Sequence, residues 1–265
     1  MKLIFFFTRL WLVLAMSTTS LLLGCSSSVI DITPTTVDAD ELLLERGTSA
    51  LEEEDWLRAR EYFLQLRNNY PQSPLRAEAR LGVGDTYEGE GTEEASISAI
   101  AEFRDFLSLY PSHPRTDYAQ YKIAMVYFKQ MRTAQRDQAN TRNAIKEFEV
   151  LFESYPESSL VNESTLRIRE ARDRLSESSY VVGRFYYRKG WYPGAIERFV
   201  EVLERDQDYT QRDSVYFHLA DSYRRIGNND EALELFERLL ADFPGTEYLK
   251  ETTEYLQELK ALPKD

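Results

Sequence analysis

The chain has one cysteine, Cys25, and only two histidines, His113 and His218, in 265 residues. A lone thiol excludes an intramolecular disulfide, and histidines this far apart supply neither metal-ligand spacing nor a partner for a nucleophile. Glycine is scarce at 11 residues, and the one glycine-rich stretch, "GVGDTYEGEG" at 82–91, lacks the G-x-G-x-x-G spacing of a phosphate-cradling loop. The acidic run Glu52-Glu53-Glu54-Asp55 has no glycine pivot and no alternating oxygen ligands, so it suits a solvated turn and helix start rather than a cation loop. Positive charge is short as well. With 45 acidic against 32 basic side chains the formal charge is −13, which argues against nucleic acid and against broad contact with anionic headgroups. No apolar run reaches the roughly 20 residues of a membrane span.

The cysteine closes an N-terminal pattern. Lys2 and Arg9 are the only charges before Asp31, and the segment from Leu10 to Leu23 is mostly Leu, Val, Ala, Met and Trp, the charged, apolar, small-residue order of a secretory signal. Leu22-Leu23-Gly24-Cys25 resembles a bacterial lipobox. The resemblance implies cleavage after Gly24, a diacylglycerol thioether and an acylated N-terminus (palmitate among the acyl groups) on Cys25, and no other cofactor. Each buried CH2 contributes about 0.8 kcal/mol, so several acyl chains make a firm anchor. Ser26 rather than Asp in the second mature position implies sorting to the outer membrane, on its periplasmic face. Residues 1–24 are thus expected as signal peptide and 25–37 as lipidated N-terminus and tether. The Ser-, Thr- and Pro-bearing stretch 26–37 reaches up to ~40 Å when extended. Loss of Lys2 and Arg9 leaves the mature chain with 45 acidic against 30 basic residues, a formal charge of −15.

Beyond residue 37 the dominant signal is repetition. Ala-x-x-x-Phe recurs as Ala59/Phe63, Ala99/Phe103, Ala144/Phe148, Ala195/Phe199 and Ala232/Phe236, and in four cases a proline (Pro71, Pro111, Pro156, Pro244) follows eight residues after the Phe. A small residue stands twelve positions before the Ala in three repeats, as Gly47, Gly183 and Ala220. This is the spacing of tetratricopeptide helix pairs, in which small residues let helices approach, Phe fills the gap, and proline ends the second helix. The fold class expected is all-α: an α-solenoid of five such pairs (38–71, 72–111, 112–156, 157–207, 208–244) within 38–265, closed by a capping helix over 246–262.

The repeats are uneven. Fifteen residues separate Gly84 from Ala99, an excess assigned to a longer loop over Glu88 to Ala95, and twenty separate Ala124 from Ala144, placing eight extra residues around "KQMRTAQRDQANT". The charged segment from Leu160 to Ser178 is expected to lengthen the first helix of repeat four, and Ser73-Pro74 to act as N-cap and first residue of the next helix. Trp56 and Trp191 each open a second helix, where packing competes with a partner-facing role. Arg167, Arg169, Arg172 and Arg174 interleave with Glu170 and Asp173, a salt-bridged face or a basic docking patch. No constellation suggests catalysis, so the residues point to a non-enzymatic, lipid-tethered interaction scaffold.

The stretched third repeat says more. Arg136-Asp137-Gln138, Thr141, Ala144, Phe148 and "YPES" at 155–158, with "HPRTDYAQY" at 113–121, "RDRL" at 172–175 and "VGRFYYRKGWYPGAIERFVEVL" at 182–203, resemble the BamD family, the lipoprotein component of the outer-membrane β-barrel assembly machine. The sequence departs from the family at Leu175-Ser176 and Ser178-Ser179, and at Asp206-Gln207, where Tyr-Pro is usual. The resemblance implies that N-terminal repeats receive unfolded outer-membrane proteins through an extended, aromatic-ended segment. The C-terminal repeats would dock on periplasmic domains of the barrel-forming subunit, alongside other assembly lipoproteins. Arg198 and Tyr192, with Arg136, Asp137 and Gln138 in the insert, are the partner-binding residues it implies, and charge-assisted hydrogen bonds of Arg136 and Asp137 are expected to order the insert. A lipoprotein coordinating cell-wall synthesis, or one regulating an envelope enzyme, would share tether and repeats without needing the insert.

Overall fold

The computed structural model describes residues 38–262, and the expectations for the signal peptide, Cys25 and the tether fall outside them. Among the described residues eleven helices follow one another: α1 (Ala39–Glu52), α2 (Trp56–Asn69), α3 (Arg76–Glu90), α4 (Glu93–Leu109), α5 (Thr116–Lys129), α6 (Ala139–Ser154), α7 (Val161–Arg188), α8 (Tyr192–Arg205), α9 (Arg212–Arg225), α10 (Asn229–Asp242) and α11 (Leu249–Lys260). Each packs against its neighbours in chain order, and α7 also touches α5 and α9. The arrangement is the all-α helix-pair solenoid expected from the repeat.

The repeat residues do the packing. Ala59, Ala99, Ala144, Ala195 and Ala232 are fully buried, and the five phenylalanines four positions on are at most 2% exposed. Phe63 lies between two glycines: a Cβ on Gly47 or Gly82 would come within 2.5–2.6 Å of its ring, so nothing larger fits at this helix approach. Gly183 is held in the same way against Phe199 at 2.6 Å. Each buried ring contributes about 2–3 kcal/mol by removal from water, and their regular spacing links the pairs into one continuous core.

A polar staple joins successive pairs. Ser73 Oγ accepts the Leu75 amide (3.1 Å) and donates to Asp40 at the start of the preceding first helix (2.6 Å). Ser158 repeats this with Leu160 and Asp117, and Thr246 with Tyr248 and Asp213. His113 takes the place of the serine in the second pair: its Nδ1 accepts the Arg115 amide at 3.2 Å and its Nε2 lies 3.7 Å from Glu78. Ser73 therefore caps a turn that precedes α3, and the helix starts at Arg76 rather than at Pro74.

Three boundaries differ from expectation. The surplus between Gly84 and Ala99 does not form a long loop, because α3 runs on to Glu90 and α4 starts at Glu93 behind the Thr92 cap, whose side chain accepts the Ala95 amide (3.1 Å). The extra residues lengthen helices, which leaves fewer backbone groups to satisfy. The closing helix begins at Leu249 instead of Thr246, since Thr246 serves the staple. The third-repeat insert is a loop over residues 130–138, and α7, at 28 residues, is the long first helix foreseen for repeat four.

Candidate docking surfaces

The "GVGDTYEGEG" stretch forms the end of α3, with Gly82 and Gly84 packed on phenylalanines and Gly89 beneath Trp56, where a Cβ would come within 2.7 Å of the ring, so these three glycines serve helix contact while Gly91 ends the helix in the left-handed conformation. Its acids face α5. Lys122 bridges Asp85 (2.9 Å) and Glu88, Lys129 reaches Glu88 (2.6 Å), and the Tyr118 hydroxyl donates to Asp85 (2.8 Å). Burial pushes the Asp85 carboxyl above the usual carboxylate range despite Lys122, whereas the attraction of Asp85 and Glu88 outweighs burial at Lys122 and raises it.

A second cluster joins α7, α8 and α9. Asp221, whose side chain is 1% exposed, accepts from Arg224 (2.6 and 2.9 Å), from Arg225 Nε (2.5 Å) and from the Tyr187 hydroxyl (2.5 Å). Burial pushes Asp221 up, but the hydrogen bonds from Arg225, Tyr187 and Arg224 overcome it and hold the carboxyl below the ordinary range. Arg225 also donates to the Tyr192 hydroxyl (3.2 Å), so Tyr192 is positioned by this hub at the edge of the pair. Beside it His218 is buried against Tyr180, Tyr187 and Phe217, and its Nδ1 donates to the Ser214 carbonyl (2.6 Å). Burial lowers its pKa to about 4, so the ring is neutral near pH 7.

Arg198 leaves the packed face, as its place before Phe199 requires, and is exposed. Its guanidinium pairs with Glu201 (2.8 Å), which also holds Arg205 (2.5 Å), making a ladder along α8. With Arg198 itself 46% exposed, this pairing is weak and leaves donors free for a partner carboxylate. Below this ladder a cleft of about 200 Å³ is floored by Ile145, Leu175 and Val202 and rimmed by Arg172 and Asp206.

The insert is ordered differently from expectation. Gln138, 4% exposed, donates to the carbonyls of Thr133 (2.8 Å) and Arg136 (2.9 Å) and accepts from Thr141 (2.7 Å). A neutral amide can satisfy both ends of a buried turn without the desolvation cost of a charge, so Gln138 holds the loop and leaves its amide engaged inside the fold. Asp137 caps α6 through the Ala139 amide (2.9 Å). The Arg136 side chain does not order the loop: it is exposed and lines a cleft against α7 with Val182, Phe185 and Tyr186. Arg136 and Arg198 do not touch, although both face residues of α7.

The four interleaved arginines are all engaged, Arg167 with Glu163 and Glu170, Arg169 with Asp173 and Asp206, Arg172 with Glu149, and Arg174 with Glu177, so the salt-bridged reading holds for them. Two departures from the family pattern meet here: Ser176 Oγ donates to Asp206 at 2.7 Å, and Arg169 grips the same carboxylate. Among the described residues no group of three or more His, Cys, Asp and Glu side chains comes together as metal ligands, and no helix is long and apolar enough to cross a membrane. The Asp221 hub and the exposed apolar side of α7 escaped the sequence reading. The absence of any acid from 178 to 196 was the available signal for the latter.

Comparison with known proteins adds the family context. A family model described as outer membrane lipoprotein, YfiO, matches residues 37–234. The outer membrane protein assembly factor BamD of Caulobacter vibrioides is 32% identical over 206 residues, covering 77% of this chain and 66% of that protein, just under two thirds of its length. The BamD of Rickettsia prowazekii is 24% identical over 213 residues, 78% of this chain and 81% of that protein. A tetratricopeptide repeat protein from Parabacteroides merdae superposes over 84% of this chain and 74% of its own, with 18% identity and a TM-score of 0.36.

Proposed function

The chain belongs to the YfiO family of outer membrane lipoproteins, the family of the BamD assembly factors, and from that membership we propose that it is the lipid-anchored, periplasmic scaffold of a β-barrel assembly machine. The observation that carries the reading is the extent of the family match, which runs through the insert and most of the helix pairs rather than over generic repeat positions. Cys25 carries the acyl anchor, residues 26–37 are the tether, and the solenoid acts without catalysis or cofactor. Binding is then the whole of its work: helix-pair faces hold extended segments and partner domains by groove contacts and rim charges.

The division of labour follows the two clusters. Repeats before Pro111 receive unfolded outer-membrane proteins, repeats after Leu160 dock the barrel-forming subunit, and the insert between them sets their relation. Arg198 is the docking residue, supported by its exposure on a helix whose Phe199 is buried, with Tyr192 at the start of the same helix held by Arg225. Other assembly lipoproteins share the remaining surface. Arg198→Glu should lower co-purification of the barrel subunit from solubilised outer membrane while leaving the melting temperature and client-peptide binding nearly unchanged, since breaking a desolvated charge pair costs roughly 2–5 kcal/mol. Full recovery of the barrel subunit would remove Arg198 from the interface. Cys25→Ala should leave an uncleaved, unacylated precursor, and a mature N-terminus anywhere but residue 25 would end the anchor proposal.

A further inference from the structure

Although the chain has 45 acidic residues, neither 129–136, with Lys129, Arg132 and Arg136, nor 178–196, with Arg184, Arg188 and Lys189, contains one. The fold brings them together. The insert loop lies along α7, fastened by Arg174, whose guanidinium donates to the Arg132 carbonyl (3.1 Å), and between loop and helix opens a cleft of about 270 Å³ lined by Ala134, Arg136, Val182, Phe185 and Tyr186. Its apolar wall is exposed: Val182 is 39% and Phe185 49% accessible, and Trp191, 56% accessible, stands edge-on to Tyr186 at 4.7 Å. Lys189 lies over the Phe185 ring at 5.9 Å. Arg132, Arg136, Arg188 and Lys189 are exposed and have no carboxylate within salt-bridge distance among the described residues, unlike the four paired arginines earlier on α7.

We propose that this cleft is a docking site for an acidic segment of a partner protein that inserts one or two large apolar side chains between the loop and α7. Charge complementarity selects the occupant: Arg136 lines the cleft and Lys189 lies over its Phe185 ring, both without a counterion among the described residues, and an acidic segment is repelled by most of the rest of this −13 chain, so the corner stands out electrostatically. The concavity favours a peptide over a bilayer, because a recessed pocket takes an inserted side chain while a membrane contact needs the aromatics to protrude. Exposed Trp191, Phe185 and Arg136 with the half-buried Tyr186 on one corner make up the composition of an interface hot spot. The loop is already held by Gln138 and Arg174, so docking costs little ordering.

The test is selection of random dodecapeptides from a display library on the full mature chain, followed by affinity measurement on variants. Recovered peptides should be rich in Asp and Glu around one or two Phe, Leu or Trp. Their affinity should weaken with salt and fall roughly tenfold or more for Arg136→Glu and for Phe185→Ser, with unchanged thermal melts because both side chains are exposed. Lys189→Glu is the second charge variant should either of these melt early, and it should show the same loss. Peptides without acidic enrichment, or equal binding by all variants, overturn the proposal. So does Phe185-dependent binding of phosphatidylglycerol vesicles without peptide binding, which would make the corner a lipid contact. Retained peptide binding in Arg198→Glu, whatever its effect on the barrel subunit, keeps this proposal separable from the docking role of Arg198.

Discussion

Asp85 and Asp221 occupy the same repeat position, directly after the small residue (Gly84, Ala220) of a first helix, yet they are held in opposite electrostatic states. Asp85 shares its lysine with Glu88, so burial prevails and its carboxyl is raised above the ordinary value of 3.8. Asp221 has two arginines and a tyrosine to itself, and its carboxyl is lowered. Both receive a tyrosine hydroxyl from a neighbouring first helix, Tyr118 from the following one and Tyr187 from the preceding one. The repeat sets where the carboxylate stands; the cations packed around it set what it does. Near the N-terminus this gives a balanced cluster, and near the C-terminus a hub that holds Tyr192 at the start of the proposed docking helix.

The frame behind the two aspartates is the same, and its test carries the largest expected effect. Phe103→Ala and Phe236→Ala, at fully buried rings, should each cost about 3–5 kcal/mol in denaturant unfolding. A small loss at either would mean that the frames are not equivalent. Asp221→Ala should come next, at about 3–5 kcal/mol, because two guanidinium groups lose a buried partner. Asp85→Ala should cost less, about 1–3 kcal/mol, since Lys122 keeps Glu88 and chiefly the Tyr118 hydroxyl is stranded. Equal losses would break the contrast.

Acid should act on the C-terminal hub through His218. A histidine lowered from 6.5 to about 4 contributes stability that is fully present above pH 6.5 and is lost as pH falls toward 4, on the order of 3 kcal/mol in all. His218→Gln should remove that component from a pH–stability profile. The smallest effects are the opposed slopes of the aspartates. Asp221, lowered in the fold, stabilises above pH 3.8 and loses this as pH falls below that value through its lower folded pKa, whereas Asp85, raised, favours the fold most at low pH and loses this as pH rises past 3.8 toward its higher folded pKa. The stability gap between the parent chain and Asp221→Asn should therefore widen with rising pH, and that for Asp85→Asn should narrow. Parallel slopes would show that the neighbouring cations do not distinguish the two sites.

The helix pairs were legible because their signal is local and periodic: Ala59 and Phe63 share a helix face, and Pro71 ends the helix whatever surrounds it. The long α7 and the insert were legible as changes in spacing. The path of the excess between Gly84 and Ala99 was not, since the choice between a longer loop and longer helices depends on Thr92 finding the Ala95 amide and on Trp56 covering Gly89. The insert showed the same limit. Arg136 and Asp137 carry the visible charge, but Gln138 is the residue whose geometry meets two carbonyls and a hydroxyl. Trp56 and Trp191 look alike in sequence, and only the fold leaves Trp191 exposed beside Tyr186.

By itself, then, the sequence determined the architecture, the family and the place of each packing residue, because repeat spacing and helix chemistry act within a turn or two of chain. Tertiary structure alone decided which charges are spent inside the molecule and which remain for a partner. Arg169 and Arg136 are indistinguishable in composition, but one meets Asp206, 37 residues away, and the other faces an open cleft, and a charge is available for recognition only where folding has not already brought it a counterion.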